Sequence, residues 1–228
     1  MIAKAEREQI IALINREVVP AIGCTEPIAV ALCVAKATET LGCRPEKIQA
    51  LLSANILKNA MGVGIPGTGM IGLPIAIALG ALIGKSENQL EVLKDSTPEA
   101  VEEGKKLIDS QIINIGLKYG IEEKLYIEII CEAGGNKATA IISGGHTNFV
   151  YVSFNDEVLV NKQLTTSHET ETEDVTLSLR KVYDFAVTTP IEELKFILET
   201  RNLNKKAAER SFKGTYGHQL GKTLNSKK

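Results

Sequence analysis

The sequence predicts an α+β fold of mixed α/β layers, with buried small-residue helices packed against an antiparallel or mixed β-sheet. Three observations predict it. Ile28 to Leu41 and Ile71 to Ile83 are apolar almost all round, the pattern of helices buried on every side. Between Lys124 and Val160 the apolar period shortens to that of strands, broken by Gly134-Gly135-Asn136 and Asn155-Asp156. The elements run as helices, a strand, a helix, then an antiparallel group and further helices, with no internal repeat and no heptads.

The first helix is Lys4 to Glu17, where Ile10, Ile11, Leu13 and Ile14 recur among charges at helical spacing and Pro20 stops the run. Gly23-Cys24-Thr25-Glu26-Pro27 is a helix-entry signature: Thr25 or Glu26 can cap, and Pro27 fits the first turn. The second helix, Ile28 to Leu41, ends at Gly42. Lys47 to Lys58 reads as a strand, with a helix as the alternative, feeding the glycine-rich turn of Gly62 to Gly69. A helix over Ile71 to Ile83 follows, then a short strand over Glu87 to Leu93. Ser96-Thr97-Pro98-Glu99 caps a polar helix to about Ser110. Strands are expected over Lys124 to Glu132, Lys137 to Ser143, Phe149 to Phe154 and Val158 to Val160, with a loop at Gly144 to Asn148. Thr176 to Thr188 and Ile191 to Arg201 are helices separated by Pro190. The expected organisation is one substrate-binding domain over 1–228: a core to about 164, an exposed Thr- and Glu-rich linker over 165–175, and a helical extension over 176–228.

Composition narrows the function. The chain of 228 residues is 44% hydrophobic and 24% charged, enough for a sizeable core. A net charge of −2 gives no electrostatic footprint for nucleic acid. The basic residues Lys205, Lys206, Arg210, Lys213 and Lys222 read as a solvated surface. Trp is absent, so helix packing rests on Ala, Ile, Leu and Gly. Met61 to Gly84 has no charged side chain, but its glycines and prolines leave a helix too short for a membrane span, so a buried core helix is expected and no membrane partner. The N-terminus is charged and amphipathic rather than a secretory signal, so the four cysteines are read as reduced and the protein as cytoplasmic.

Cys24 is the sharpest chemical candidate. At a helix entry, unpaired backbone N–H groups and the helix dipole favour a thiolate, which can act as base or nucleophile. The alternative is a small packed hydrophobe. Cys33 and Cys131 read as core and Cys43 as half exposed; the spacing of the four matches no zinc or redox motif. Gly62-Val63-Gly64-Ile65-Pro66-Gly67 matches a dinucleotide pattern only in letters, since Lys58 and Asn59 interrupt the strand that should lead into it. The alternative there is a pocket for a carboxylate, made by backbone N–H groups with the Thr68 hydroxyl. His146, between Gly145 and Thr147, is either a locally bonded turn histidine or part of a site. Glu26 is a cap first and an acid–base group second.

Three segments carry a resemblance: Pro-Ala-Ile-Gly-Cys-Thr-Glu-Pro at 20–27, Lys-Asn-Ala-Met-Gly-Val-Gly-Ile-Pro-Gly-Thr-Gly at 58–69, and Ser-Gly-Gly-His-Thr-Asn at 143–148. With Val182-Tyr-Asp-Phe-Ala and Pro190-Ile-Glu-Glu-Leu, they resemble the N-terminal half of the L-cysteine desulfidase family, which is related to the iron–sulfur L-serine dehydratases. The resemblance implies a lyase that releases pyruvate and ammonia from L-cysteine or L-serine, with Cys24 as the base. It implies that Thr25, Glu26, Asn59, Gly67, Thr68, His146, Thr147 and Asn148 line the substrate pocket. It also implies a 4Fe–4S cluster in the complete enzyme, whose ligands are absent from this chain and lie in a partner C-terminal half. The isolated chain is then expected to be inactive. A module that binds a small amino acid without catalysis is the alternative, and a homo-oligomer would cover the exposed C-terminal surface.

Overall fold

The computed structural model describes residues 2–21, 23–162, 175–215 and 218–227. The fold is α+β, with a six-stranded mixed sheet and a small two-stranded one. The chain forms two compact units: a larger one of Pro20–His168, and a smaller one joining Met1–Val19 to Glu169–Lys228. Of the linker expected over 165–175, residues 165–174 lie outside the described residues.

The larger unit opens with α2 (Thr25–Leu41), the smaller unit's α1 (Lys4–Glu17) preceding it in the chain. Gly42 ends α2 in the left-handed conformation at φ 76°, which glycine adopts without steric cost. β1 (Lys47–Leu52) follows, and Ser53 then accepts from the Ile56 N–H and caps a short helix, α3 (Ala54–Ala60). The strand expected over 47–58 is therefore a strand and a helix. The glycine-rich turn is a tight hairpin of β2 (Gly64–Ile65) and β3 (Met70–Ile71), leading into α4 (Leu73–Ile83). The strand expected over Glu87 to Leu93 is a 3₁₀ segment, Ser86–Glu91, kinked at Gln89, where φ is 50°. α5 (Pro98–Asp109) is capped by Thr97, which accepts from the Ala100 N–H, as its sequence requires.

The main sheet runs in the order β4-β1-β5-β6-β7-β8, built from β4 (Ile113–Leu117), β5 (Tyr126–Ala133), β6 (Asn136–Ser143), β7 (Phe149–Phe154) and β8 (Glu157–Asn161). Only the β1–β4 pair is parallel. One face, with Ala50, Ile127, Ile129, Cys131, Ala140 and Val152, is buried. α2 packs on it across β5, β6 and β7, and α4 packs on α2, with α5 beyond. α2 is thus enclosed between sheet and helix, which is why its sequence is apolar all round. Small residues set the α2–α4 spacing: a Cβ on Gly80 would stand 2.6 Å from the Ala31 carbonyl oxygen, and one on Gly84 2.7 Å from the Ala35 Cβ.

In the smaller unit, α1 joins α6 (Leu179–Thr188), a 3₁₀ segment Ile191–Ile197, α7 (Leu198–Lys213) and α8 (Leu220–Asn225). Arg7 donates from Nε and Nη2 to the two oxygens of Glu193, at 2.8 and 2.9 Å. Among the described residues no helix is long and apolar enough to cross a membrane.

Candidate functional site

The turn before α2 is shaped by one close approach. A Cβ on Gly23 would lie 2.8 Å from the Pro66 Cγ, so the absence of a side chain lets the β2–β3 hairpin sit against the Gly23–Cys24 turn. Cys24 is the N-cap of α2 and makes no side-chain capping bond, and neither Thr25 nor Glu26 caps the helix. Thr25 and Glu26 are instead the first two helical residues. There the Glu26 carboxylate lies at the positive end of the helix dipole.

Glu26 is the centre of the cluster. The Cys24 Sγ–H donates to its Oε2 at 2.9 Å, and the Thr25 hydroxyl donates to the same oxygen at 3.3 Å. Asn59 Nδ2, from α3, donates to Oε1 at 3.2 Å. Three donors from two elements thus hold one half-buried carboxylate. The bond from Cys24 is the main cause of the lowered pKa of Glu26, and Asn59 and the nearby His146 push the same way. Burial and the bond to Glu26 push the Cys24 thiol up. The Glu26 backbone N–H pulls the thiol the other way, as the helix-entry argument requires, but it is outweighed. The resting pair is therefore a thiol donating to a carboxylate, and not the thiolate that position alone predicts.

The other candidates separate. His146 acts on Glu26 through its charge and is half-buried in the loop after β6. Thr68 Oγ1 donates to the Ile65 carbonyl at 2.7 Å and accepts from the Met70 N–H at 3.0 Å, so its hydroxyl closes the hairpin. Gly67 takes φ 78° in that same turn. Asn148 Nδ2 donates to the Ser143 carbonyl and its Oδ1 accepts from Lys162, which ties the loop to the strands; Thr147 is exposed. The Thr68 hydroxyl, expected to help hold a carboxylate, is engaged within the hairpin. Sequence reasoning missed Pro66 as a neighbour of the cysteine turn; the glycine before Cys24 was the available signal.

All four cysteines are free. Cys33 donates to the Ala140 carbonyl at 3.3 Å inside the core, and burial pushes its thiol well up. Burial pushes Cys131 up to about 12. Cys43 is exposed just past the far end of α2. Among the described residues no group of three or more His, Cys, Asp or Glu side chains could hold a metal ion. They provide no donor set for a 4Fe–4S cluster.

Fold and cluster together define a mixed α+β protein with a thiol–carboxylate pair at a helix entry, pressed by a glycine-rich hairpin. The chain is 79% identical over all of its 228 residues to a UPF0597 protein of Phocaeicola vulgatus, of which it covers 53%. It is 76% identical to a UPF0597 protein of Bacteroides fragilis and 67% identical to one of Bacteroides thetaiotaomicron, in each case over 97% of this chain and 52% of the relative. The chain spans about half the length of the curated relatives it matches. No family model and no solved structure matches it.

These relatives correct the assignment to the N-terminal half of the L-cysteine desulfidase and L-serine dehydratase-like family. Proteins alike over the whole chain bear the UPF0597 name, which states no reaction. The motifs that suggested the assignment answer to local backbone demands. Gly67, Gly69, Gly72 and Gly144 all have positive φ, and Gly23 makes room for Pro66.

Proposed function

We propose that the Cys24–Glu26 pair is a proton-transfer site for a small amino acid, the base-bearing part of a lyase that forms pyruvate and ammonia from L-cysteine or L-serine. The observation that carries this reading is the 2.9 Å bond from the Cys24 thiol to a carboxylate whose other oxygen is held by Asn59. A thiol that hands its proton to a positioned carboxylate becomes a base without needing a low pKa of its own. The balance is closed. Glu26 takes the thiol proton and the Cys24 thiolate takes the α-proton of the substrate. As the β-substituent leaves, the Glu26 carboxylic acid protonates it. The 2-aminoacrylate so formed tautomerises and hydrolyses to pyruvate and ammonia, and the pair returns to thiol and carboxylate.

A second reading, binding of an amino acid without chemistry, is favoured by the raised Cys24 thiol, which is protonated at rest. Exchange of the α-hydrogen separates the two. In D₂O, the wild-type chain should exchange the Cα–H of L-serine or L-cysteine, read by proton NMR, and Cys24→Ala should lose the exchange. Saturable binding of either amino acid with no exchange in the wild type would leave binding alone.

A further inference from the structure

The smaller unit buries few apolar side chains and leaves several exposed. Its buried apolar cluster, among the described residues, is Ile2, Ile10 and Phe185. On α6, Leu179, Val182, Tyr183 and Val187 follow one another at helical spacing along one side, with relative exposures of 88%, 47%, 60% and 58%. Leu220 and Leu224 of α8, one turn apart, are exposed at 66% and 61%. An exposed apolar side such as that of α6 marks a binding face, because soluble chains otherwise keep such patches small. In the larger unit, by contrast, α2 and α4 have their apolar residues inside the core. The relatives supply a candidate cover. Phocaeicola vulgatus carries a homologue of this whole chain within a protein of which it makes up 53%, so a comparable length of polypeptide accompanies the same helices there.

We propose that the outward side of α6 is the docking surface for the polypeptide that makes up the rest of the relatives' length. The inference does not rest on the proposed reaction. It requires only that the exposed stripe meet an apolar partner surface of similar extent.

The test is co-expression of this chain with the part of the Phocaeicola vulgatus relative that it does not match, followed by size-exclusion chromatography with light scattering. A one-to-one complex is expected. The double substitution Val182→Asp and Tyr183→Asp, at exposed positions that leave the helix content unchanged by circular dichroism, should weaken it at least about tenfold. Absence of a complex, a complex indifferent to the double substitution, or a dimer of this chain alone built on the same stripe would each overturn the proposal. Hydrogen exchange gives a reading independent of whether the separate piece folds. In the intact relative, the amides matching 179–188 should exchange at least about tenfold more slowly than in this chain, and equal rates would overturn it.

Discussion

Burial and Glu26 together keep the Cys24 thiol protonated. The pKa of Glu26 is lowered chiefly by the bond from Cys24, while Cys24 is raised first by burial and then by that same bond. The signs give a window. A lowered carboxylate contributes stability that is present above its unfolded pKa and is lost as pH falls through the folded value. A raised thiol contributes stability that is present below its unfolded pKa and is lost as pH rises through the folded value. The pair therefore supports the fold between the ordinary carboxylate and thiol ranges. Glu26→Gln removes the negative charge that favours the thiol and leaves only a neutral amide oxygen as acceptor. Cys24 should then ionise at lower pH and react several-fold faster with iodoacetamide near pH 8. Peptide mass spectrometry separates this from labelling of exposed Cys43, with buried Cys33 and Cys131 unlabelled in the native state. An unchanged Cys24 rate would show that Glu26 does not govern the thiol.

At the scale of elements, what was readable depended on whether the signal was local. α1, α2, α4, α5 and strands β5 to β8 follow from periodicity, caps and turn residues, and Gly42 and Thr97 act as their sequences require. α3 was hidden because its Ser53 cap lies inside a run that also reads as strand. β4 was missed because Ile113–Leu117 contains Asn114 and Gly116 and is half exposed; its parallel partner β1 lies far back in the chain. Of the site, the Cys24–Glu26 pair was visible as a spacing of two at a helix entry, but it suggested a cap. The Asn59 bond to Glu26 spans 33 positions and comes from folding alone. The α2–α4 contact yields a prediction of its own. Gly80→Val places new atoms against the Ala31 backbone, which cannot retreat as a side-chain tip can, and should destabilise by about 1–3 kcal/mol or more in urea unfolding. Gly62→Ala has open space around it and should change stability by about 0.5 kcal/mol at most. Equal effects of the two would contradict the close packing of these helices.

At the scale of the whole molecule, the division of labour is between a larger unit with a continuous core and a smaller one with few buried residues. The larger unit holds every member of the thiol–carboxylate cluster. There, three donors meet one carboxylate. The smaller unit offers apolar surface, and the relatives' greater length offers something to cover it. The central claim concerns the larger unit: Cys24 and Glu26 act together, so that the thiol is a base only because the carboxylate takes its proton. The most direct measurement is the rate of Cα–H exchange of L-serine in D₂O for the wild type and for Glu26→Gln. The claim predicts a loss of about 10²-fold or more in the variant, the scale of one positioned acid–base group, although its Cys24 ionises more readily. Exchange that is unchanged or faster in Glu26→Gln would contradict it and make the bare Cys24 thiolate the base.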